Sequence, residues 1–384
     1  MQTTIWGDIY GVGMTAHECA SSSKENSFVF LFSFQKFCVD TYLCKFYLIF
    51  RKAGGGSITP HVQNFLLEIC TGTNVDRRQN FTYTTTIFKR IISEVELSSE
   101  TVIDGLYEEF AQRMLSKAKD SLLNKTNHIY KEISFLSSTH VDDNVSSRLI
   151  SVVGRLSCSS SMLEGDTGCS LWPSSLFLSE FILSYPEIFS TKCCFELGSG
   201  VGLVGICLNY VGASKVILTD GDTSTLTNMK ENMELNNLCI EQEDSEVLKE
   251  CKNKVECKYL SWEDVSENDL WGYQPDIVLG ADVMYNPVCV PHLVRVLSML
   301  LRQDRRQGEN KGKFGDEFQT EGPVTYIATV VRNAETFNCF AKAAANAKLS
   351  AINISSSAAP SNLLPYMLSY DRSSVQLLKI TSLS

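Results

Sequence analysis

The sequence predicts an α/β fold: a doubly wound, mostly parallel sheet preceded by a small helical domain. Three observations carry this. The apolar run Cys193 to Leu197 reads as a buried strand and leads through Gly198-Ser199-Gly200-Val201-Gly202 into a helix. Val216 to Thr219 reads as the next strand and ends at Asp220, eighteen residues after Gly202. Strand, glycine turn, helix, strand and acid make the nucleotide-binding half of a doubly wound sheet. From Trp172 to Ile380, strand and helix patterns then alternate, as a parallel sheet requires.

The elements follow in chain order. Residues 1–56 form an extension with no assigned domain. Phe28 to Phe50 is apolar and long enough to span a bilayer, but Gln35, Lys36, Asp40 and Lys45 interrupt it. Charges at such central positions are costly in lipid, so no membrane span is expected. Ala53-Gly-Gly-Gly-Ser57 reads as a linker. Residues 57–125 then read as a helical domain. Val62, Phe65, Leu66 and Ile69 fall at helical spacing, as do Ile87, Ile91, Ile92 and Val95, and Val102, Leu106, Phe110 and Met114. Residues 126–384 form the sheet domain. Ile129 to Leu156 alternates weakly and reads as short strands and loops. Leu176 to Leu183 is a helix before the first strand. Asp222 to Asn236 is a helix covering the sheet, and 241–254 a charged excursion. Val255 to Leu260 is the third strand. Asp276 to Ala281 is the fourth, nearly all apolar, as a strand buried on both faces should be. Val288 to Leu301 is a helix, with Pro287 and Pro291 in its first turn. Asp304 to Glu321 is polar and reads as a loop. Val324 to Val331, Glu335 to Lys348 and Val375 to Ile380 complete the set as strand, helix and strand.

Composition narrows the function. A net charge of −10 argues against a nucleic-acid surface, which is usually basic. The fourteen cysteines are scattered without a Cys-x-x-Cys pair, so reduced thiols in a cytoplasmic protein are the expectation. None of the five histidines stands at metal-ligand spacing from a cysteine or another histidine, and no metal site is expected.

In an open α/β sheet the ligand lies beyond the carboxyl ends of the strands. The glycine run is Gly198-x-Gly200-x-Gly202. Gly200-x-Gly202-x-x-Gly205 also fits a dinucleotide fingerprint, so the pattern alone leaves a nicotinamide cofactor open. Glu196 weighs against it, because a carboxylate beside the loop repels a pyrophosphate and attracts an ammonium or sulfonium. S-adenosylmethionine carries both cations and no phosphate. Asp220 suits the ribose hydroxyls of either ligand, and Asp222 is the competing cap for the following helix. Trp262 offers a flat face for adenine, Ala281 a close approach, and Trp172 a side wall. Asp282 and Tyr285 follow the fourth strand, where a methyl acceptor must arrive. Asp282 is suited to hold an incoming ammonium and the Tyr285 hydroxyl to orient the amine. Asn286-Pro287 comes after Tyr285, so the Asn/Asp-Pro-Pro-Tyr order of adenine- and glutamine-modifying enzymes is not met.

Trp172-Pro-Ser-Ser-Leu176-x-Leu178-x-Glu180, Phe195-Glu-Leu-Gly-Ser-Gly-Val-Gly-Leu203, Gln274-Pro-Asp-Ile-Val-Leu-Gly-Ala-Asp-Val-Met-Tyr285 and Val331-Arg-Asn-Ala-Glu-Thr336 together resemble the family-16 seven-strand lysine methyltransferases. Within that family the likeness is greatest to the branch acting on eukaryotic elongation factor 2. It covers residues 160–384 well and 60–125 more loosely. The resemblance implies a seven-strand Rossmann-like methyltransferase sheet and a protein-lysine N-methyltransferase using S-adenosyl-L-methionine. Its expected substrate is a lysine of elongation factor 2, and the expected state is a monomer. It implies that Trp172, Gly198, Ser199, Gly200, Asp220, Trp262 and Ala281 contact the cofactor. Glu196 and Gly202 join that set from the loop reading. Asp282 and Tyr285 would face the substrate lysine. A cofactor-binding scaffold without turnover, and a methyltransferase for another protein or a small molecule, remain the alternatives. The long stretches at 241–254 and 304–321 depart from the family pattern.

Overall fold

The computed structural model describes residues 51, 54–71, 81–98, 100–123, 128–136, 150–159, 167–240, 254–302, 322–365, 367 and 370–383. The apolar stretch Phe28 to Phe50, the excursion as far as residue 253 and the loop at 304–321 lie outside them. The chain divides into two compact units. One is Met1–Val153 with Leu364–Ser369, and the other is Gly154–Leu363 with Tyr370–Ser384.

The first unit contains α1 (Pro60–Thr71), α2 (Phe81–Glu96), α3 (Asp104–Leu123) and β1 (His128–Leu136). The helices form because their apolar residues recur at helical spacing and make a core of Val62, Leu66, Phe88, Ile91, Ile92, Val95, Val102 and Leu106. A buried glutamine locks this core. Gln63 donates to the carbonyls of Ile58 (2.9 Å) and Thr101 (3.0 Å), and its Oε1 accepts from the Ile103 N–H (2.9 Å). Met114 departs from the expected stripe and is 48% exposed. At 20 residues α3 is longer than α1 (12) and α2 (16), and the helical core uses it only as far as Phe110.

The division between the units falls within β2 (Ile150–Ser159). The second unit then runs α4 (Pro173–Ser184), α5 (Pro186–Phe189), β3 (Cys193–Leu197), α6 (Leu203–Tyr210), β4 (Lys215–Asp220), α7 (Thr223–Leu235), β5 (Cys239–Ile240) and β6 (Lys254–Tyr259). It continues with α8 (Glu267–Leu270), β7 (Ile277–Ala281), α9 (Val290–Leu300), β8 (Val324–Val330), α10 (Ala334–Asn346), β9 (Leu349–Asn353) and β10 (Val375–Ser382). The sheet order is β5-β6-β4-β3-β7-β8-β10-β9. β3 pairs in parallel with β4 and β7, β6 with β4 and β5, and β8 with β7. Only β10 runs antiparallel, between β8 and β9. Apart from the two-residue β5, this is the seven-strand arrangement expected.

Helices cover both faces, which is why the central strands are apolar throughout. On one face Phe195, Leu197, Val278, Ile327, Leu378 and Ile380 pack with Leu293, Val294 and Leu297 of α9 and Phe340 of α10. On the other, Phe181 of α4 meets Tyr326 of β8 at 5.3 Å between ring centroids. The chain's direction of winding reverses between β3 and β7. That switch point opens a crevice at the carboxyl ends of these two strands, where a doubly wound sheet takes its ligand.

Candidate active site

The glycine loop between β3 and α6 is fastened to β4. The Ser199 N–H donates to the Thr219 carbonyl (2.9 Å), and Ser199 Oγ accepts from the Thr219 N–H (3.1 Å). Thr219 Oγ1 donates to the Glu196 carbonyl (2.7 Å). Gly200 has φ +54°, and a Cβ there would stand 2.9 Å from the Gly168 carbonyl oxygen. The loop is therefore held tightly under the segment that leads to α4. Gly202 has φ +81°, and its Cβ would stand 2.5 Å from Met233 Cε. Its glycine is needed for the turn and for packing on α7, which gives it a local role beside the ligand role expected of it.

Two acids flank the loop. Asp220, at the end of β4, accepts from the Gly200 N–H through Oδ2 (3.1 Å) and from the Asp222 N–H through Oδ1 (3.2 Å). Burial raises its pKa, and these N–H groups only partly offset that. Asp222 caps α7, accepting from the Thr225 N–H at 2.7 Å, so Asp220 is spared that duty. Glu196 is fully buried on β3, and its Oε2 has no hydrogen-bond partner. Burial pushes its carboxyl up to about 8, with Ser199 lowering it slightly. At neutral pH that shift favours the protonated acid. A bare carboxylate was expected there, and burial on both faces of the sheet is what removes its charge. A cation beside Oε2 would favour the ionised form.

The remaining expected residues gather at the same edge. Trp262 follows β6, half-buried, and its ring lies against the loop: a Cβ on Gly198 would be 3.4 Å from Trp262 Cζ2. Arg295 of α9 fixes this turn by donating to the carbonyls of Trp262 (2.7 Å), Glu263 (3.0 Å) and Val265 (2.7 Å). Ala281 is the last residue of β7 and half-buried. Trp172 precedes α4, is half-buried, and donates from Nε1 to the Thr167 carbonyl (3.0 Å).

Asp282 lies just past β7 with φ +60°, and its N–H donates to the Ala328 carbonyl at 2.8 Å. It is 8% exposed. Arg332 grips it with both nitrogens, Nη1 to Oδ1 at 2.8 Å and Nη2 to Oδ2 at 2.6 Å. The same guanidinium stands 5.4 Å from the Trp172 ring. The carboxylate expected to await an ammonium is thus already paired. Tyr285 is 64% exposed, with its phenol pKa raised by partial burial and by Cys289 and Asp220. Sequence reasoning gave no role to Arg332 or Arg295. The available signal was their position: Arg332 follows the carboxyl end of β8, beside that of β7.

Buried Glu196, with its Oε2 lacking a partner, and the acid at the end of β4 fit a cationic nucleoside better than a pyrophosphate. The comparisons agree. A family model described as lysine methyltransferase matches residues 154–307. An uncharacterized protein of Dictyostelium discoideum is 36% identical over 228 residues, 56% of this chain and 58% of that one. The human protein-lysine N-methyltransferase EEF2KMT is 27% identical over 259 residues, 67% of this chain and 68% of that one. The bovine protein of the same name is 32% identical over 187 residues, 46% of this chain and 51% of that one. The chain thus spans 51–68% of the length of these relatives. Residues 154–307 of the chain are thus similar to the lysine methyltransferase family.

Proposed function

We propose that this chain is a protein-lysine N-methyltransferase that uses S-adenosyl-L-methionine, with a lysine of elongation factor 2 as its substrate. Trp172, Glu196, Gly198, Ser199, Gly200, Gly202, Asp220, Trp262 and Ala281 form the cofactor side of the site. Asp282 and Tyr285 form the acceptor side. The cofactor supplies a methyl group on a cationic sulfur. The residues hold and orient; transfer itself is a single displacement. With the cofactor bound, a neutral lysine nitrogen would take the methyl group as the carbon–sulfur bond gave its electron pair to sulfur, and the product ammonium would lose its proton to water.

The observation that carries a protein substrate is the openness of the acceptor edge. Tyr285 is 64%, Val288 69% and Val331 37% exposed. A small-molecule enzyme would enclose its acceptor to exclude water, whereas a folded substrate brings its own cover. The elongation factor is supported by the names of the human, mouse and bovine relatives. The same reading places a monomer in the cytoplasm. No described helix is long and apolar enough to cross a membrane.

The test is transfer of labelled methyl from S-adenosylmethionine to purified elongation factor 2, with the modified residue read by mass spectrometry. Cofactor binding without transfer to any lysine would defeat the enzyme reading. Transfer to other proteins but not to elongation factor 2 would defeat the substrate assignment alone.

A further inference from the structure

We propose that Arg332 is a positioning residue that cancels the charge of Asp282, so that the acceptor edge can hold a lysine amine without stabilising its ammonium form. The inference rests on the reading of the chain as a lysine methyltransferase. Free lysine has a pKa of about 10.4, and only the neutral amine has the lone pair that attacks a methyl group. A bare carboxylate within about 4–6 Å raises such a pKa by about 1–3 units. An unpaired Asp282 would therefore bind the substrate well and hold it in the unreactive state.

The geometry avoids this. Both carboxylate oxygens are bound in parallel by one guanidinium, at 2.8 and 2.6 Å, and the Arg332 pKa is raised by that contact. The pair has no net charge, yet a carboxylate oxygen retains lone pairs beyond those taken by the arginine. It can still accept one hydrogen bond from a neutral amine. Among the described residues that act on this loop, no other group replaces Arg332. Tyr285, on the same loop, keeps its proton because its pKa is raised, and it is influenced by Asp220 from the end of β4 and by Cys289 from the head of α9. Glu263, after β6, acts on Cys289. Asp220 and Glu263 are acids, so Arg332 is the cation that offsets Asp282. The substrate ammonium gives its proton to water, and the cationic sulfur of the cofactor opposes its return.

The test is the pH dependence of kcat at saturating protein substrate for the full chain, which follows the ionisation of the bound lysine, alongside cofactor affinity. Arg332→Gln should move the midpoint of the rising limb upward by about one unit or more. Activity at pH 7 should then fall at least about tenfold, with the loss recovered only as the pH rises past the shifted midpoint. Arg332→Lys keeps a cation and should leave the midpoint near that of wild type. The double variant Asp282→Asn with Arg332→Gln removes both charges and should return the midpoint to the wild-type position. An equal loss for Arg332→Gln at every pH would overturn the proposal, because that is what a purely structural role gives. Should that variant fail to fold, an upward shift in Arg332→Lys would overturn it equally. A wild-type chain that methylates no lysine would overturn the underlying reading first, and is distinguished by having no profile to shift.

Discussion

Replacing Glu180 by Gln should cost about 2–3 kcal/mol of stability, because one buried carboxylate satisfies three donors at once. Glu180 lies on α4 and is 0% exposed. Its Oε1 accepts from the Leu363 N–H (2.7 Å) and from Arg372 Nη1 (2.5 Å), and its Oε2 accepts from the Tyr370 hydroxyl (2.9 Å). Burial and the neighbouring carboxylate push the Tyr370 phenol far up, so it remains a donor. Glutamine keeps one oxygen and turns an NH2 towards a donor. Breaking a buried pair by removing one partner costs about 3–5 kcal/mol. The lower range applies here, since Arg372 is 24% exposed and still donates to the carbonyls of Pro360 (2.7 Å) and Ser361 (3.1 Å). Trp172, Trp262 and Trp271, three of the four tryptophans, lie in the sheet unit, so urea unfolding followed by their fluorescence reads that unit. With a urea slope of about 1–3 kcal/mol per molar, the midpoint should fall by about 1 M at unchanged slope. A fall below about 0.2 M would refute the reasoning and make the network ornamental to stability.

Gly202→Ala should destabilise the same unit by about 2–5 kcal/mol, adding left-handed backbone strain to crowding against Met233, and thermal unfolding would show it. Asp222→Ala removes the cap of α7 and should cost about 1 kcal/mol in urea unfolding. Glu196→Gln tests the buried acid through pH. Its pKa is raised from 4.5 to about 8 in the folded chain, so between those values the folded state holds a proton that the unfolded state has released. Its contribution is complete below pH 4.5 and declines as pH rises through about 8. The wild-type urea midpoint should therefore fall more steeply than the variant's between pH 5 and 8, and parallel profiles would show that Glu196 is not buried as a neutral acid.

The strand, loop and acid proposed as the donor half of the site were legible as structure because their signals are local. A buried strand, a glycine turn and an acid at the next strand's end all lie within 28 residues of Cys193. Strand β9 was not legible, because three of its five residues are exposed at the sheet edge and no apolar run marks it. β5 is two residues long and has no pattern to find. The hairpin from β9 into an antiparallel β10 likewise has no signature in the apolar residues of β10. On the acceptor side, the identities of Asp282 and Tyr285 were readable but their electrostatic state was not. Arg332 is 50 residues from Asp282, and only the pairing of β7 with β8 brings them together. The same holds for Arg295, which fixes the turn at Trp262 from 33 residues away.

Three carboxyl groups stand at neighbouring strand ends, and each has a different setting. Burial favours the protonated form of Glu196, and its Oε2 has no hydrogen-bond partner. Asp220 is bound by two backbone N–H groups. Asp282 is bound by a guanidinium. These differences suit different tasks. A proton can leave when a cationic ligand arrives, so the site at Glu196 can acquire charge on binding. Fixed backbone donors orient Asp220 while leaving it capacity to accept from ribose hydroxyls. A guanidinium keeps its proton throughout, so Asp282 stays neutralised whatever binds. On the proposed assignment of the site, charge is available on the cofactor side and withheld on the acceptor side. The three acids are alike in the sequence; the fold gives one a buried apolar setting, one a pair of backbone donors and one a guanidinium, and so sets them apart chemically.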